Sequence, residues 1–310
     1  MRFLILITAL SLFFPSRADC SKAITEERAT SANGYVTLNY PSRYRRMALR
    51  TAEIIDESVR EMTGQFGMSG IDSIELYIAP GKDEYLDLYP GVIPEWSEAC
   101  SNITDMTLCL NADAVLKSAR PLRIVLRHEL SHLLLAQRME GAGCPLWFQE
   151  GVAMVQSREW TLGDQWEFLL AVWQKDCPFL EDLSYSFPSG NRKIAYMLSY
   201  FAVRELLSER EDDLITLTAF TRDLGDFSRA FFLTFGETVE DFSLRIDVII
   251  KDKYRNVLFL AASAPFWSAM VLLFIAAYLL KKRRTRRKLR EWEEQEQDLI
   301  AENGFGAEPL

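Results

Sequence analysis

One long apolar segment near the C-terminus constrains the architecture of this chain more than any other feature. Residues 257–280 read VLFLAASAPFWSAMVLLFIAAYLL and contain no charged side chain. About 20 apolar residues in a helix are enough to cross the hydrocarbon core of a bilayer, and a helix satisfies its own backbone hydrogen bonds, as lipid requires. The segment therefore predicts one transmembrane helix at 257–280. The alternative is a helix buried in a protein core.

The residues that follow favour the transmembrane interpretation. Residues 281–290, KKRRTRRKLR, contain eight basic side chains in ten. Basic residues beside a span stay on the cytoplasmic side, so residues 281–310 are expected to form a cytoplasmic tail. A nucleic-acid patch is the weaker interpretation, because the position of the run already explains it. The lipid bilayer is thus an expected partner, and nucleic acid is not.

The N-terminus has the pattern of a secretory signal peptide. Arg2 is followed by the apolar run Phe3 to Phe14, and Ser16-Arg17-Ala18 places small residues at the two key cleavage positions. Residues 1–18 are therefore expected to be removed, with an uncleaved anchor as the alternative. Residues 19–256 would then lie outside the cytoplasmic membrane, on the periplasmic side, as one single-pass protein.

Charge and cysteine content agree with that location. Residues 19–256 contain 25 basic and 37 acidic side chains, a net charge of −12, so the part before the span is strongly acidic. Such a surface disfavours nucleic acid and anionic lipid. Five cysteines would lie in an oxidising compartment, where disulfides are expected. Cys100 could pair with Cys109, and Cys144 with Cys177, which leaves Cys20 over. A zinc–thiolate site is the rival, but these spacings match no such cluster.

The pattern of apolar residues predicts an α+β chain. We expect a small mixed α/β N-terminal subdomain (35–120), two helices that carry the site (121–158) and a helical C-terminal subdomain (159–256). Strands are predicted at 35–39, 74–79 and 106–110. Helices are predicted at 41–62, 121–139, from 145 onwards, 166–174, 193–208, 214–221, 228–235 and 238–253. Residues 81–101 are expected to be irregular.

The only two histidines of the chain, His128 and His132, stand four residues apart in RHELSHLLL. Residues at this spacing lie on one face of a helix, so both imidazoles can reach one metal ion at about 2.0–2.1 Å. Two surface histidines on a helix are the alternative. The apolar neighbours argue against it, because burying two imidazoles without partners is costly.

A catalytic zinc ion takes three protein ligands and keeps the fourth position for water. Since no third histidine exists, the third ligand must be a carboxylate or a cysteine, and Glu150 in WFQEGVA is the best candidate. A solvated helix carboxylate is the alternative. Gly151 beside it permits close helix approach. Glu129 points away from the ligand face and can accept a proton from water, as the general base of peptide-bond hydrolysis. We therefore expect one Zn²⁺ per chain.

Two stretches resemble a known family. Residues 125–134, VLRHELSHLL, resemble the extended zincin signature around His-Glu-x-x-His, and PLWFQEGVA resembles the Trp-x-x-Glu-Gly-x-Ala box of gluzincins, specifically the peptidase MA-like family. The resemblance covers about residues 35–255. It implies a zincin fold for the two site helices, with His128, His132 and Glu150 as zinc ligands and Glu129 as base.

The resemblance also implies how substrate is held. In relatives, a strand before the site helix pairs with an extended peptide, and MTLCLN at 106–111 stands in that place. A downstream tyrosine or histidine holds the oxyanion, which makes Tyr196 the candidate here, with Tyr200 behind it and a core tyrosine as the alternative. The amine-anchoring Gly-x-Met-Glu-Asn motif of aminopeptidases is missing, which favours an endopeptidase.

The expected function is therefore that of a membrane-anchored zinc metallopeptidase acting on a peptide or protein substrate. The rival is a catalytically silent domain of the same kind that binds a partner and signals through the basic tail. Glu129 argues against this rival, because a domain without catalysis has no use for a general base. A purely structural zinc site is disfavoured by its ligands, since such sites are mostly closed by cysteine.

Overall fold

The computed structural model describes residues 25–88, 97–174, 177–188, 190–208 and 212–302. The expected signal peptide and Cys20 lie outside these residues. The chain divides into two compact units, one ending at Ile250 and one beginning at Lys251. The first unit is mixed α/β, as predicted; its expected subdivision at residues 120 and 158 stays an interpretation.

Five strands form a single mixed sheet in the order β1-β2-β3-β5-β4. Strands β2, β3 and β5 run parallel, and β1 and β4 pair antiparallel at the two edges. The strands are β1 (Glu27–Thr30), β2 (Val36–Tyr40), β3 (Ile74–Ala79), β4 (Ala99–Asn102) and β5 (Thr107–Asn111). The central strands are almost continuously buried, as expected for strands covered on both faces.

Ten helices are described, two of them short. They are α1 (Arg45–Gln65), α2 (Lys82–Leu88), α3 (Ala112–Lys117), α4 (Leu122–Arg138), α5 (Leu146–Ser157), α6 (Leu162–Gln174), α7 (Arg192–Leu206), α8 (Asp213–Leu224), α9 (Phe227–Phe235) and α10 (Val239–Glu302). Two short 3-10 helices lie at Ser42–Tyr44 and Glu181–Leu183. The three predicted strands and the long predicted helices are present, and most of their ends are shifted by a few residues.

The region 81–101 was predicted wrongly. Instead of irregular chain, its described part contains α2 and the start of β4, while residues 89–96 lie outside the description. Strand β1 and helix α3 were also missed. These elements have only four to seven residues, and their sequences lack the apolar runs that marked the predicted strands. β4, for example, is ACSN and becomes a strand by pairing with β5.

Helix α4 carries the two histidines and contacts β4, α1 and α5. It begins after Pro121, whose backbone is extended (φ −60°, ψ 136°). A proline is tolerated at a helix start, because the backbone N–H that it lacks would have no partner within the helix there. The chain then reverses through Glu140 and Gly141, both with positive φ. This reversal lets α5 pack back against α4, as the sequence predicted.

Helix α5 packs against α7 at Gly151, on the side away from α4. A Cβ on Gly151 would lie 2.4 Å from the backbone oxygen of Ser199 and 2.5 Å from a methyl group of Val203, both on α7. The expected close approach at Gly151 therefore exists, but its partner is α7. The buried ring of Trp147, stacked on Phe242 at 5.8 Å, further anchors α5 in the helical core.

The second unit contains the remainder of α10. Its stretch Pro265–Leu299 is long and apolar enough to cross a membrane. Apolar side chains in this stretch, including Phe266, Trp267 and Leu272, are exposed. The predicted span at 257–280 lies within the same helix.

Candidate active site

The two histidines and the glutamate chosen from sequence meet at one point. His128 and His132 lie one turn apart on α4, with ring centroids 5.0 Å apart. Nε2 of His128 is 3.3 Å from Oε2 of Glu150, and Nε2 of His132 is 3.7 Å from the same oxygen. One ligand atom from each of the three residues lies within 4.8 Å of the others, so this group could hold a metal ion.

The three candidate ligand atoms are arranged to share a metal ion rather than to hydrogen-bond to one another. Oε2 of Glu150 is buried and makes no hydrogen bond within the described chain, although both imidazoles are close to it. A buried carboxylate oxygen without a partner is costly. Two imidazole nitrogens and one carboxylate oxygen are a ligand set that catalytic zinc uses, with a fourth position left open. A shared cation would satisfy all three groups at once.

Electrostatics without a metal show how strongly these groups interact. Burial opposes the charged form of His128, but contacts with Glu150 and Glu159 outweigh burial and raise the pKa of His128 to about 10. Burial alone would raise the pKa of Glu150, and the charges of His132 and His128 lower it below its usual value instead. The protonation of His128 and that of Glu150 therefore depend on each other.

Two cavities that share part of their walls lie beside the group. His128, His132 and Glu150 all line the first, and of these three only His128 lines the second. The cavities measure about 660 Å³ and 570 Å³. Residues that line both are Ser97, Ala99, His128, Glu129 and Tyr196. The candidate metal group therefore opens into the larger of these two cavities, and the smaller one adjoins it at His128, Glu129 and Tyr196.

Glu129 lines both cavities and is outside the group that could hold a metal ion. One of its carboxylate oxygens accepts a hydrogen bond from the hydroxyl of Ser101 at 2.8 Å. Ser101 belongs to β4 and was not identified from sequence. The carboxylate therefore faces the cleft and is held from the strand side.

The strand beside the cleft differs from the expected one. The prediction assigned the substrate edge to MTLCLN, but β5, which contains it, lies inside the sheet between β3 and β4. That assignment is wrong, because both hydrogen-bonding edges of β5 are already used. The edge strand is β4, whose Cys100, Ser101 and Asn102 line the larger cavity.

Tyr196 stands on α7 and lines both cavities. Burial raises the pKa of its hydroxyl well above the usual value, and the charge of Glu150 adds to this effect. The hydroxyl therefore stays protonated and able to donate. Tyr200 lines neither cavity and stacks on Trp160 with ring centroids 4.4 Å apart, which makes it a packing residue.

The cysteines lie at and near the same cleft. Cys100 of β4 stands directly opposite Cys109 of β5, and both are described as thiols. The predicted disulfide between them stays a prediction. Burial raises the pKa of Cys144 to about 12, so its thiol stays protonated and is a poor ligand or nucleophile. Its predicted pairing with Cys177 also stays a prediction.

A further carboxylate, Glu159, was missed from sequence. Its Oε2 lies 3.3 Å from Nδ1 of His128, on the ring edge opposite the ligand nitrogen. No periodic pattern pointed to it, because it follows the end of α5 after a residue in the left-handed conformation, Arg158 (φ 60°). The structure thus adds Ser101 and Glu159 to the residues predicted for the site.

Comparison with protein-family models finds no match for this chain, and comparison with curated proteins finds none either.

Proposed function

We propose that this chain is a membrane-anchored zinc metallopeptidase that hydrolyses peptide bonds outside the cytoplasm. The observation that carries the proposal is the convergence of His128, His132 and Glu150 within 4.8 Å, in a cavity that Glu129 also lines. Two helices bring these four side chains to one open cleft. The arrangement matches the roles that the gluzincin-like motifs imply.

His128, His132 and Glu150 would hold the zinc ion. Zinc in such a site supplies Lewis acidity, which makes water a nucleophile near neutral pH and polarises a carbonyl group. The remaining work belongs to protein side chains. Glu129, held by Ser101, accepts a proton from the attacking water and delivers it to the leaving amine.

Tyr196 supports the developing negative charge on the former carbonyl oxygen. Its hydroxyl remains protonated because burial raises its pKa. A neutral donor fixed in a largely buried cleft is suited to this task, since it needs no reorganisation as charge develops. Tyr196 therefore acts as the oxyanion donor in the proposed reaction.

The edge strand and the two cavities favour an endopeptidase. The outer edge of β4 has no neighbouring strand among the described residues, so an extended peptide can add to it through backbone hydrogen bonds. The two cavities adjoin at His128, Glu129 and Tyr196, so the cleft is longer than the metal group itself. A peptide can then extend past the scissile bond in both directions.

The proposed topology places residues 19–256 outside the cytoplasm and residues 281–310 inside. It rests on the apolar stretch of α10 and on the basic run that follows it. A reporter active only outside the cytoplasm should be silent when fused after Leu310 and active when fused before Val257. The reverse pattern would contradict this topology.

The catalytic proposal is tested by separating metal binding from proton transfer. The variants His128→Ala, His132→Ala and Glu150→Ala should lose zinc and peptide cleavage together, because each leaves an incomplete ligand set. Glu129→Gln preserves shape and removes the proton acceptor, so it should keep about one zinc per chain and lose nearly all hydrolysis. Metal content by atomic emission and cleavage of a peptide library are measured on the same full-length samples.

An exposed carboxylate away from the cleft provides the matched control. Glu181→Gln should keep both zinc and activity. Loss of zinc from Glu129→Gln would show that this residue is a ligand, and full retention of zinc by Glu150→Ala would place the third ligand elsewhere. A wild-type protein that takes up no zinc would overturn the proposal.

A further inference from the structure

One ring edge of His128 faces the candidate metal group, and the other faces a second carboxylate. Nε2 points to Glu150, whereas Nδ1 lies 3.3 Å from Oε2 of Glu159. This distance is slightly longer than an ordinary N–H···O hydrogen bond of about 2.7–3.2 Å. Both atoms are buried and neither makes a hydrogen bond elsewhere in the described chain. Each is therefore the available partner of the other.

The backbone brings Glu159 to this position by a sharp reversal. α5 ends at Ser157, and Arg158 takes the left-handed conformation with φ 60° and ψ 40°. The amide of Glu159 then donates to the carbonyl oxygen of Met154 at 3.3 Å. The side chain of Arg158 is held by Glu61 on α1 at 2.6 Å. A residue beyond the helix is thus turned back toward α4.

Glu159 is itself held by an arginine that reaches the edge strand. Arg120 contacts Oε1 of Glu159 at 2.7 Å and Oε2 of Glu98 at 3.0 Å. Glu98 directly precedes β4, and its carbonyl oxygen accepts a hydrogen bond from the amide of Asn111 at 2.9 Å. A continuous series of contacts therefore runs from His128 to the strand beside the cleft.

We propose that Glu159 is a positioning residue for the metal centre, and that Arg120 and Glu98 hold it in register with the edge strand β4. Glu159 keeps the ring proton of His128 on Nδ1, which leaves Nε2 free to bind the metal, and it fixes the ring plane. This inference rests on the proposed zinc site and adds the group that orients one of its ligands.

The size of the expected effect follows from the general behaviour of such partners. Metal-bound histidines usually donate their second ring nitrogen to a carboxylate or carbonyl, and loss of that partner lowers metal affinity roughly tenfold to hundredfold. Arg120 is exposed, and its guanidinium forms ion pairs with Glu98 and Glu159, neither of which belongs to the candidate metal group. Its effect on the metal should therefore pass through Glu159.

The test measures zinc affinity of the full-length, metal-stripped protein by competition with a chelator of known affinity. Glu159→Ala should bind zinc roughly tenfold to hundredfold more weakly than wild type. Glu159→Gln keeps an oxygen that can accept from Nδ1 and should fall between the two. Glu237→Gln is the matched control, because it disturbs a similar carboxylate–arginine contact, with Arg245, away from the cleft. It should bind zinc as wild type does.

A double variant tests the role of Arg120. If Arg120 acts through Glu159, Arg120→Met should weaken zinc binding in the wild-type background and add nothing to Glu159→Ala. If Glu159→Ala binds zinc as tightly as wild type, this inference is overturned and the proposed function is not. If the effects of Arg120→Met and Glu159→Ala add, the role of Arg120 is overturned. A wild-type chain that binds no zinc would overturn both the proposed function and this inference.

Discussion

The hydroxyl of Ser101 lies 2.8 Å from a carboxylate oxygen of Glu129 and donates a hydrogen bond to it. This contact joins the edge strand β4 to the site helix α4 at the proposed general base. It fixes the direction in which the carboxylate faces the cleft. It also places the backbone that would bind substrate next to the group that would move the proton.

We expect Ser101→Ala to lower kcat/KM while zinc content is unchanged. A hydrogen bond to a charged group contributes about 1.5–3 kcal/mol, and about 1.4 kcal/mol corresponds to a tenfold change in rate. The loss should therefore be about tenfold to hundredfold. Ser208→Ala, which removes an exposed hydroxyl bonded to a helix carbonyl, is the control. Unchanged kcat/KM in Ser101→Ala would mean that Glu129 needs no such support.

Tyr196→Phe should reduce turnover by about a hundredfold or more if its hydroxyl holds the oxyanion, since oxyanion donors typically contribute this much. Zinc should be retained, because Tyr196 is outside the ligand group. Tyr200→Phe is a close control on the same helix, as its ring packs on Trp160. Turnover and zinc content are measured for both variants. Equal turnover in Tyr196→Phe and Tyr200→Phe would show that Tyr196 is a packing residue.

Gly151→Ala should destabilise the protein by about 1–3 kcal/mol, the usual range for overpacking. The added Cβ would lie 2.4 Å from a backbone oxygen of α7, and backbone cannot yield as a side chain can. Zinc affinity should fall as well, because Glu150 directly precedes Gly151 in α5 and would be displaced with it. Gly64→Ala has free space around the new methyl group and should be unchanged or slightly more stable. Denaturant unfolding of both variants provides the comparison.

Cys100 and Cys109 should form a disulfide in protein taken from an oxidising compartment. Directly opposed residues of an antiparallel pair have Cα atoms about 4.5–5.5 Å apart, which is within the range of about 4.4–6.8 Å seen for disulfides. Peptide mapping without reduction should recover the two residues in one linked peptide. Recovery of both as alkylated thiols would count against the disulfide and against the proposed compartment.

Local patterns in the sequence predicted several parts of this structure. Helix periodicity placed His128 and His132 on one face of α4, because residues four apart in a helix meet whatever surrounds them. The short segment IELYIA predicted β3 with its observed bounds, Ile74–Ala79. The apolar stretch that could cross a membrane was evident from composition and length. Each of these features depends only on neighbours within a short segment.

The choice of Glu150 from sequence needed one step more. The spacing to His132 and the intervening reversal suggested that α5 returns against α4, and the structure brings Glu150 to both imidazoles. The sequence did not identify the helix against which Gly151 packs, because that contact joins segments almost fifty residues apart.

Tertiary structure alone decided which strand borders the cleft and which groups support the site. β4 is four residues long, so only its pairing with β5 makes it the edge strand and brings Ser101 to Glu129. Glu159 reaches His128 because Arg158 adopts a left-handed conformation, and the periodicity of the sequence does not predict such a conformation. The sequence by itself determined the helix that presents the two histidines and the stretch suited to a bilayer. Long-range packing, which brings together residues distant in the chain, determined everything that holds those histidines in place.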